Sequence, residues 1–474
     1  MNSSDINHLD DSIINLPCYE PAGSSVSMTI ADLMGHTLVT GGSGTGKTTR
    51  VIYPMLKQLL EKTASSSETK VGLCIIDTKA DGEMIAYLKK ACLEAGRLKD
   101  LCVIDCDSDY CVDLLDPVKQ NGIQGAEVIS GLLAALIPES EINRYWEVTF
   151  ESMLLLALRL YFLTAEIQSY SDMVKFLIRY LLYFDVLNDE FKEALYSLQE
   201  DKETKNAAVI EETLAGHRMW KTLDVRTRSV FQSMAAPLLN SLSSETARKF
   251  FSGGKACSVQ DATNSGKVFA ISVDAIREPT VGALVSTIIK GQFYDSILNR
   301  RHRDRNEQRI AGLVMDDWPL CATGGVNNRH SDVSALGMIR SRRGFVIAAT
   351  QGLSALDLKI GAVSRRAAMG NFSNVFFFRG RDFELDAFAS TYLGERRKVL
   401  QDRTKPAKEH TSRRQAEALE HERETFVPAV PVGALARLPL GEAFALIGGA
   451  VHSQPLCLVP DYAPTLEVEH EQES

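Results

Sequence analysis

The sequence predicts an α/β protein with a mostly parallel central sheet and an all-helical insertion, and three observations carry that prediction. A glycine-rich turn, Gly41-Gly42-Ser43-Gly44-Thr45-Gly46-Lys47-Thr48, follows the apolar run Leu38-Val39 and precedes a helix-patterned stretch with Val51, Ile52, Met55, Leu56 and Leu59. Short apolar runs then alternate with helical stretches on both sides of the chain's middle, the rhythm of βαβ units. Between about Gly122 and Ser244 that rhythm stops and helical periodicity replaces it.

Each element follows in order. Met1 to about Ala31 reads as a weakly structured lead-in, because Pro17, Pro21 and Gly23-Ser24-Ser25 interrupt any period. After the glycine turn and its helix, Ala64 to Glu68 is a polar loop. A buried strand is predicted at Val71 to Ile76, ending in Asp77-Thr78-Lys79-Ala80-Asp81-Gly82-Glu83, then a helix from Met84 to Ala95 and a strand at Leu101 to Ile104. In the helical stretch, Trp146, Phe150, Met153, Leu154, Ala157, Leu160 and Tyr161 share one face, and Phe176, Ile178, Tyr180, Leu181 and Phe184 continue it, as a packed core does. Glu200 to Asn206 is a solvated linker. Strands resume at Lys267 to Val273, with a helix from Val281 to Asn299 and a charged link, Arg300 to Gln308, as a solvated turn. Further strands are predicted at Gly312 to Met315, Phe345 to Ala349, Val375 to Phe378 and Ala443 to Ile447, and the tail from Pro464 is acidic and disordered. The expected division is a lead-in over 1–30, a nucleotide-binding domain over 31–121 and 251–460, a helical domain over 122–250 between its parts, and a tail over 461–474.

Composition narrows the class. A chain of 474 residues that is 45% hydrophobic can bury a large core over two or three domains. Met1 to Glu20 lacks the basic-then-apolar order of a secretion signal. The most apolar helical runs, Met153 to Leu163 and Val174 to Phe184, are too short for a bilayer and carry Arg159, Lys175 and Arg179. The expectation is a soluble, cytoplasmic chain without a transmembrane segment. Nine scattered cysteines are expected as free thiols, and Cys102, Cys106 and Cys111 fit no common zinc spacing. A net charge of −9 excludes a wholly basic nucleic-acid binder, but leaves room for a basic pore or loop.

The glycine turn fits the pattern G-x-x-x-x-G-K-[ST], a P-loop. Its backbone N–H groups can wrap a pyrophosphate with the help of the helix N-terminus, Lys47 would reach the β/γ-phosphates, and Thr48 would hold Mg²⁺. Gly41, Gly42, Ser43, Gly44, Thr45, Gly46, Lys47, Thr48 and Thr49 are the nucleotide-binding set. On a neighbouring strand such a loop needs a carboxylate at the end of an apolar run, and Gly312-Leu313-Val314-Met315-Asp316 supplies it. Asp316 would serve Mg²⁺ and Asp317 the attacking water. Gln351, after Val346 to Thr350, can sense the γ-phosphate. Arg340, in Arg340-Ser341-Arg342-Arg343, can act as an arginine finger across a subunit boundary, while the same cluster also suits a solvated face or a phosphate-backbone contact. Arg396, Arg397, Lys398, Arg403, Lys405 and Lys408 after Gly394 are either a strand-contact patch for DNA or a solvated mobile loop.

Taken together, these motifs resemble the coupling ATPases of type IV secretion and conjugation, the TraG/TraD-type branch of the FtsK- and HerA-like motors. The P-loop, the strand ending Asp77 to Glu83, the Val112-Asp113-Leu114-Leu115-Asp116-Pro117 turn, Tyr145-Trp146-Glu147, Asp316-Asp317-Trp318-Pro319, Arg340 and Gln351 occur in that family's order, from about Leu33 to Ile447. The resemblance implies a RecA-like P-loop NTPase assembling as a homo-hexamer, with ATP and Mg²⁺ between subunits. It also implies DNA, a relaxase or effector proteins as cargo and a secretion-channel or membrane-anchor partner that would place the chain at the inner membrane. Three features depart from the family pattern. No transmembrane helices precede the motor, Asp317 stands where the family carries Glu, and the Asp77 to Glu83 turn is longer than the family's, so it is assigned no catalytic part. A HerA- or packaging-type DNA pump and a nucleotide-dependent assembly scaffold with little hydrolysis are the alternative readings.

Overall fold

The computed structural model describes residues 12–64, 69–137, 144–165, 168–184, 193–194, 196–197, 206–300, 308–325, 328–403 and 420–462. Its strands are β1 (Ser12–Glu20), β2 (Ser25–Thr29), β3 (Thr37–Thr40), β4 (Gly72–Asp77), β5 (Leu101–Ile104), β6 (Tyr110–Val112), β7 (Lys255–Cys257), β8 (Val268–Ser272), β9 (Ala311–Met315), β10 (Gly344–Thr350), β11 (Asn374–Phe378), β12 (Glu395–Arg403), β13 (Glu420–Pro428), β14 (Glu442–Ile447) and β15 (Ala450–Leu458). One sheet joins eleven of them in the order β2-β1-β15-β14-β11-β3-β10-β9-β4-β8-β5. Every pairing from β11 to β5 is parallel. From β11 outward to β2 every pairing is antiparallel.

The parallel strands read as unbroken apolar runs because both faces are covered. Along β9, Leu313 and Met315 enter one core while Val314 enters the other, and Cys74 and Ile76 alternate with Leu73 and Ile75 along β4 in the same way. The helices Tyr53–Lys62 and Glu83–Glu94 pack on one face. The opposite core takes the helix Pro279–Leu298, whose buried residues run all round it, and is continuous with the helical segment. The predicted face of Phe150, Leu154, Ala157, Leu160 and Tyr161 is buried there, on the helix Arg144–Thr164. Tyr180 and Leu181 are buried too, but on a π-helical turn, Arg179–Tyr183.

Several expectations are corrected. The lead-in is not weakly structured over its described residues: β1 and β2 form a hairpin that caps one edge of the sheet, with β1 lying against β15. That pairing joins residues more than four hundred positions apart, so no local period could announce it. The charged link is anchored rather than solvated at its start, since Arg300 donates to the carbonyls of Thr263, Arg309 and Arg342. Residues 301–307, the linker at 200–205 and the tail from 463 lie outside the described residues. The basic stretch after Gly394 is not a loop at its start, for β12 and β13 form an antiparallel ladder. Arg397 pairs with Glu424. The side chain of Arg403, and all of Lys405 and Lys408, lie outside the described residues. No described helix is long and apolar enough to cross a membrane.

Candidate functional site

Strand β3 ends at Thr40 and delivers the glycine turn to the carboxyl edge of the parallel sheet, where the chain reverses direction into a helix. Gly41 donates to the Thr350 carbonyl at 3.2 Å and Gly42 to the Arg379 carbonyl at 2.8 Å, so the loop is clamped by the ends of β10 and β11. At Gly41, φ is 143°, and a Cβ there would meet the Phe378 Cβ at 2.6 Å. Only glycine suits that position. The helix begins in π register over Thr48–Ile52, with the Tyr53 N–H bonded to the Thr48 carbonyl. Pro54, which has no N–H to offer the Arg50 carbonyl, accounts for that wide first turn.

Lys47 is half-buried, and its ammonium donates to the carbonyls of Gly41 at 2.7 Å and Gly42 at 2.9 Å. Burial lowers its pKa, against the opposing pull of Asp316. The Thr48 hydroxyl donates to Asp316 Oδ1 at 2.7 Å, across 268 positions of sequence. Asp316 is buried, at 6% exposure.

The expectation of adjacent strands is corrected by the sheet order. β10 lies between β3 and β9, so the acidic pair stands two strands from the P-loop. Two strand spacings open a gap of roughly 10 Å. At the tip of the intervening strand sits Gln351, whose side-chain amide lies beside Asp317 and draws its pKa down slightly. Burial, and then the neighbouring Asp316 charge, raise the Asp317 pKa. The structure thus brings together Lys47, Thr48, Asp316, Asp317 and Gln351. The hydroxyl and carboxylate oxygens of Thr48 and Asp316 are the hard donors that Mg²⁺ takes, and they share one hydrogen bond, so these residues fit the cation.

Arg340 stands elsewhere. It follows the helix Asp332–Ile339, and the seven residues of β10 separate it from Gln351's edge of the sheet. Its side chain is exposed, and the length of β10 sets the backbone of Arg340 roughly 20 Å from the P-loop's end of the sheet, on the side of His36. Arg342, by contrast, holds the carbonyls of Leu298 and Arg300.

Two parts of the site went unassigned in the sequence. Lys79, on the turn after β4, forms an ion pair with Asp316 Oδ2 at 2.5 Å. The signal was present in Asp77 to Glu83, but its spacing argued against a role. Behind the acidic pair, Trp318 donates its indole N–H to Asp332 Oδ2 at 2.9 Å. Asp332 also pairs with Lys290 at 2.8 Å and accepts from the Tyr294 hydroxyl and the Thr323 N–H, with both charged side chains at 0% exposure. Nothing local in the sequence marks Lys290 or Asp332.

The sheet, the glycine turn and the carboxylate it meets define a RecA-like P-loop nucleotide-binding fold. Comparison with known proteins points more narrowly. Residues 331–440 match the family model described as the TraM recognition site of TraD and TraG. Among solved structures, the unbound monoclinic form of the bacterial conjugative coupling protein TrwBdeltaN70 is similar with a TM-score of 0.64 and 14% identity, covering 92% of this chain and 88% of that one. The plasmid coupling protein TrwB in complex with ADP and Mg²⁺ gives 0.60 and 14%, covering 93% and 87%. Its complex with the non-hydrolysable ATP analogue ADPNP gives 0.61 and 14%, covering 92% and 89%. At such identities the likeness is one of fold. No curated protein sequence matches the chain.

Proposed function

We propose that this chain is an ATP-hydrolysing motor of the type IV coupling kind, which recruits a DNA-protein complex or a protein to a conjugation or secretion channel. The observation that carries the reading is the Thr48 to Asp316 hydrogen bond, because it sets the two candidate Mg²⁺ ligands side by side from opposite ends of the chain. Support for the coupling class comes from the match over 331–440 and from the TrwB-like fold. TrwB is itself seen with ADP and Mg²⁺ and with an ATP analogue, which favours the same ligands here.

In this reading the backbone from Gly41 to Thr49 binds the phosphates. Lys47 leaves the loop carbonyls for the β/γ-phosphates, and Thr48 and Asp316 hold Mg²⁺, which when bound neutralises charge on the phosphate oxygens. Asp317 accepts a hydrogen bond from the attacking water, and its raised pKa suits it to take the proton. Gln351, beside Asp317 at the end of the intervening strand, reads the terminal phosphate. Arg340 cannot reach this site in its own chain, so it serves a neighbour in a ring of six. The segment 331–440 is the candidate surface for a relaxosome partner, since the matched model is described by recognition of TraM. The helical domain over 122–250, and a membrane-anchor partner, complete the proposal.

Steady-state ATP turnover of wild type against Lys47→Ala tests it, with and without DNA. Turnover that falls at least about a hundredfold in the variant supports a motor. Equal rates in the two proteins favour the scaffold reading, and nuclease or portal proteins co-purifying in place of relaxase favour the DNA pump.

A further inference from the structure

Asp316 is held by two groups at once, and only one of them belongs to the P-loop. Thr48 occupies Oδ1, and the ammonium of Lys79 occupies Oδ2 at 2.5 Å. Lys79 reaches it from a turn built to present it. The Asp77 carboxylate accepts from the Lys79 N–H at 3.2 Å and from the Ser272 hydroxyl at 2.9 Å, fixing the end of β4 to the end of β8. The next residue, Ala80, has φ of 51°, a left-handed conformation that a non-glycine residue rarely adopts. Thr78 buries its hydroxyl, which finds no hydrogen-bond partner among the described residues. A strained backbone and an unsatisfied hydroxyl are retained next to Lys79, the pattern expected where geometry serves function. The Lys79 side chain is itself 40% exposed, so it can swing, while that of Asp316 is 5% exposed and cannot.

An ammonium on Asp316 Oδ2 and a divalent cation on the same carboxylate repel each other and share one set of lone pairs. We infer that Lys79 is a displaceable counter-ion of Asp316: it keeps a divalent cation off the carboxylate until a nucleotide's terminal phosphate draws the ammonium away, so that cation and nucleotide enter together. This rests on the nucleotide-site reading above. It makes Lys79 a residue that couples metal affinity to phosphate, and it gives the turn after β4 a role in the site.

The test uses Mn²⁺ as probe, with affinity read by electron paramagnetic resonance on nucleotide-free protein. In Lys79→Met, and independently in Lys79→Gln, Mn²⁺ should bind about tenfold tighter or more than to wild type, because the competing charged hydrogen bond is gone. Lys79→Arg should restore weak Mn²⁺ binding. Fluorescent ATP should bind Lys79→Met more weakly, approaching its affinity for ADP. A purely structural lysine would leave Mn²⁺ affinity unchanged or lower it, and that result, with nucleotide still bound through Lys47, overturns the inference alone. If wild type binds no nucleotide, or Lys47→Ala binds it equally well, the nucleotide-site reading fails and this inference falls with it.

Discussion

Asp316 and Asp317 are adjacent carboxylates with different surroundings, and in the proposed function that difference divides their work. Asp316 meets a hydroxyl and an ammonium, whereas the Asp317 pKa is raised by burial and then by the charge of its neighbour. Asp317→Asn should therefore cut ATP turnover about a hundredfold or more, the usual worth of a general base, with ATP affinity little changed. Steady-state kinetics beside fluorescent-nucleotide titration separates the two effects. At the other end of β3, His36 accepts from the Val346 N–H at Nδ1 and lies 2.8 Å from the Leu336 carbonyl through Nε2, so the ring is a neutral donor and acceptor. Burial holds its pKa down to about 4. The unfolded chain binds the proton more readily, so this contribution is intact above the ordinary value near 6.5 and is lost as pH falls toward 4. Denaturant unfolding should show wild type losing about 2 kcal/mol between pH 7.5 and 5 that His36→Gln does not lose.

Among the elements, those with strong local signals were legible and those defined by distant partners were not. β4, β9, β10 and β11 are near-continuous apolar runs, and the P-loop carries its own spacing, so strands and loop were read where they stand. The order of strands was not readable, because nothing in Gly312 to Met315 says that β10 will intervene before β3. Nor was the edge hairpin read, since Pro17 and Gly23 argue locally for a turn and the strand that joins it to the sheet, β15, lies at the far end of the chain. The sequence showed Trp318 within a motif but not the buried pair behind it. Lys290 and Asp332 fix the helix Pro279–Leu298 to the turn after β9. Asp332→Asn leaves an uncompensated ammonium fully buried and should cost roughly 3–5 kcal/mol by urea unfolding followed through tryptophan fluorescence. Lys290→Met combined with Asp332→Leu should cost less than the two single changes added, because no lone charge remains. Additive costs would show that the pair acts through packing alone.

For the whole molecule, the far position of Arg340 is the informative feature. Its own P-loop lies at the opposite edge of the sheet, so a finger role requires a second copy whose site abuts that edge. Neither Arg340→Ala nor Lys47→Ala alone should turn over ATP. Mixed together, they should recover part of the activity, because a Lys47→Ala subunit can lend its arginine to the intact P-loop of an Arg340→Ala neighbour. Absence of recovery in mixed assemblies would move the finger to another residue. The β12–β13 hairpin enters at this scale too. Arg397 is paired with Glu424, so neutralising Arg397 alone should change the salt dependence of DNA binding little. A steep fall in the salt slope of a DNA-binding titration would restore the phosphate-contact reading.

Thr48 and Asp316, 268 positions apart, share a hydrogen bond at the centre of the proposed Mg²⁺-nucleotide site. Its most direct test is titration with fluorescent ATP, with Mg²⁺ and with chelator, on wild type and on Asp316→Asn. Wild type should bind at least about tenfold more tightly with Mg²⁺ present, and Asp316→Asn should bind alike in both conditions, since the carboxylate that holds the cation is gone. Equal Mg²⁺ enhancement in the two proteins would contradict the account.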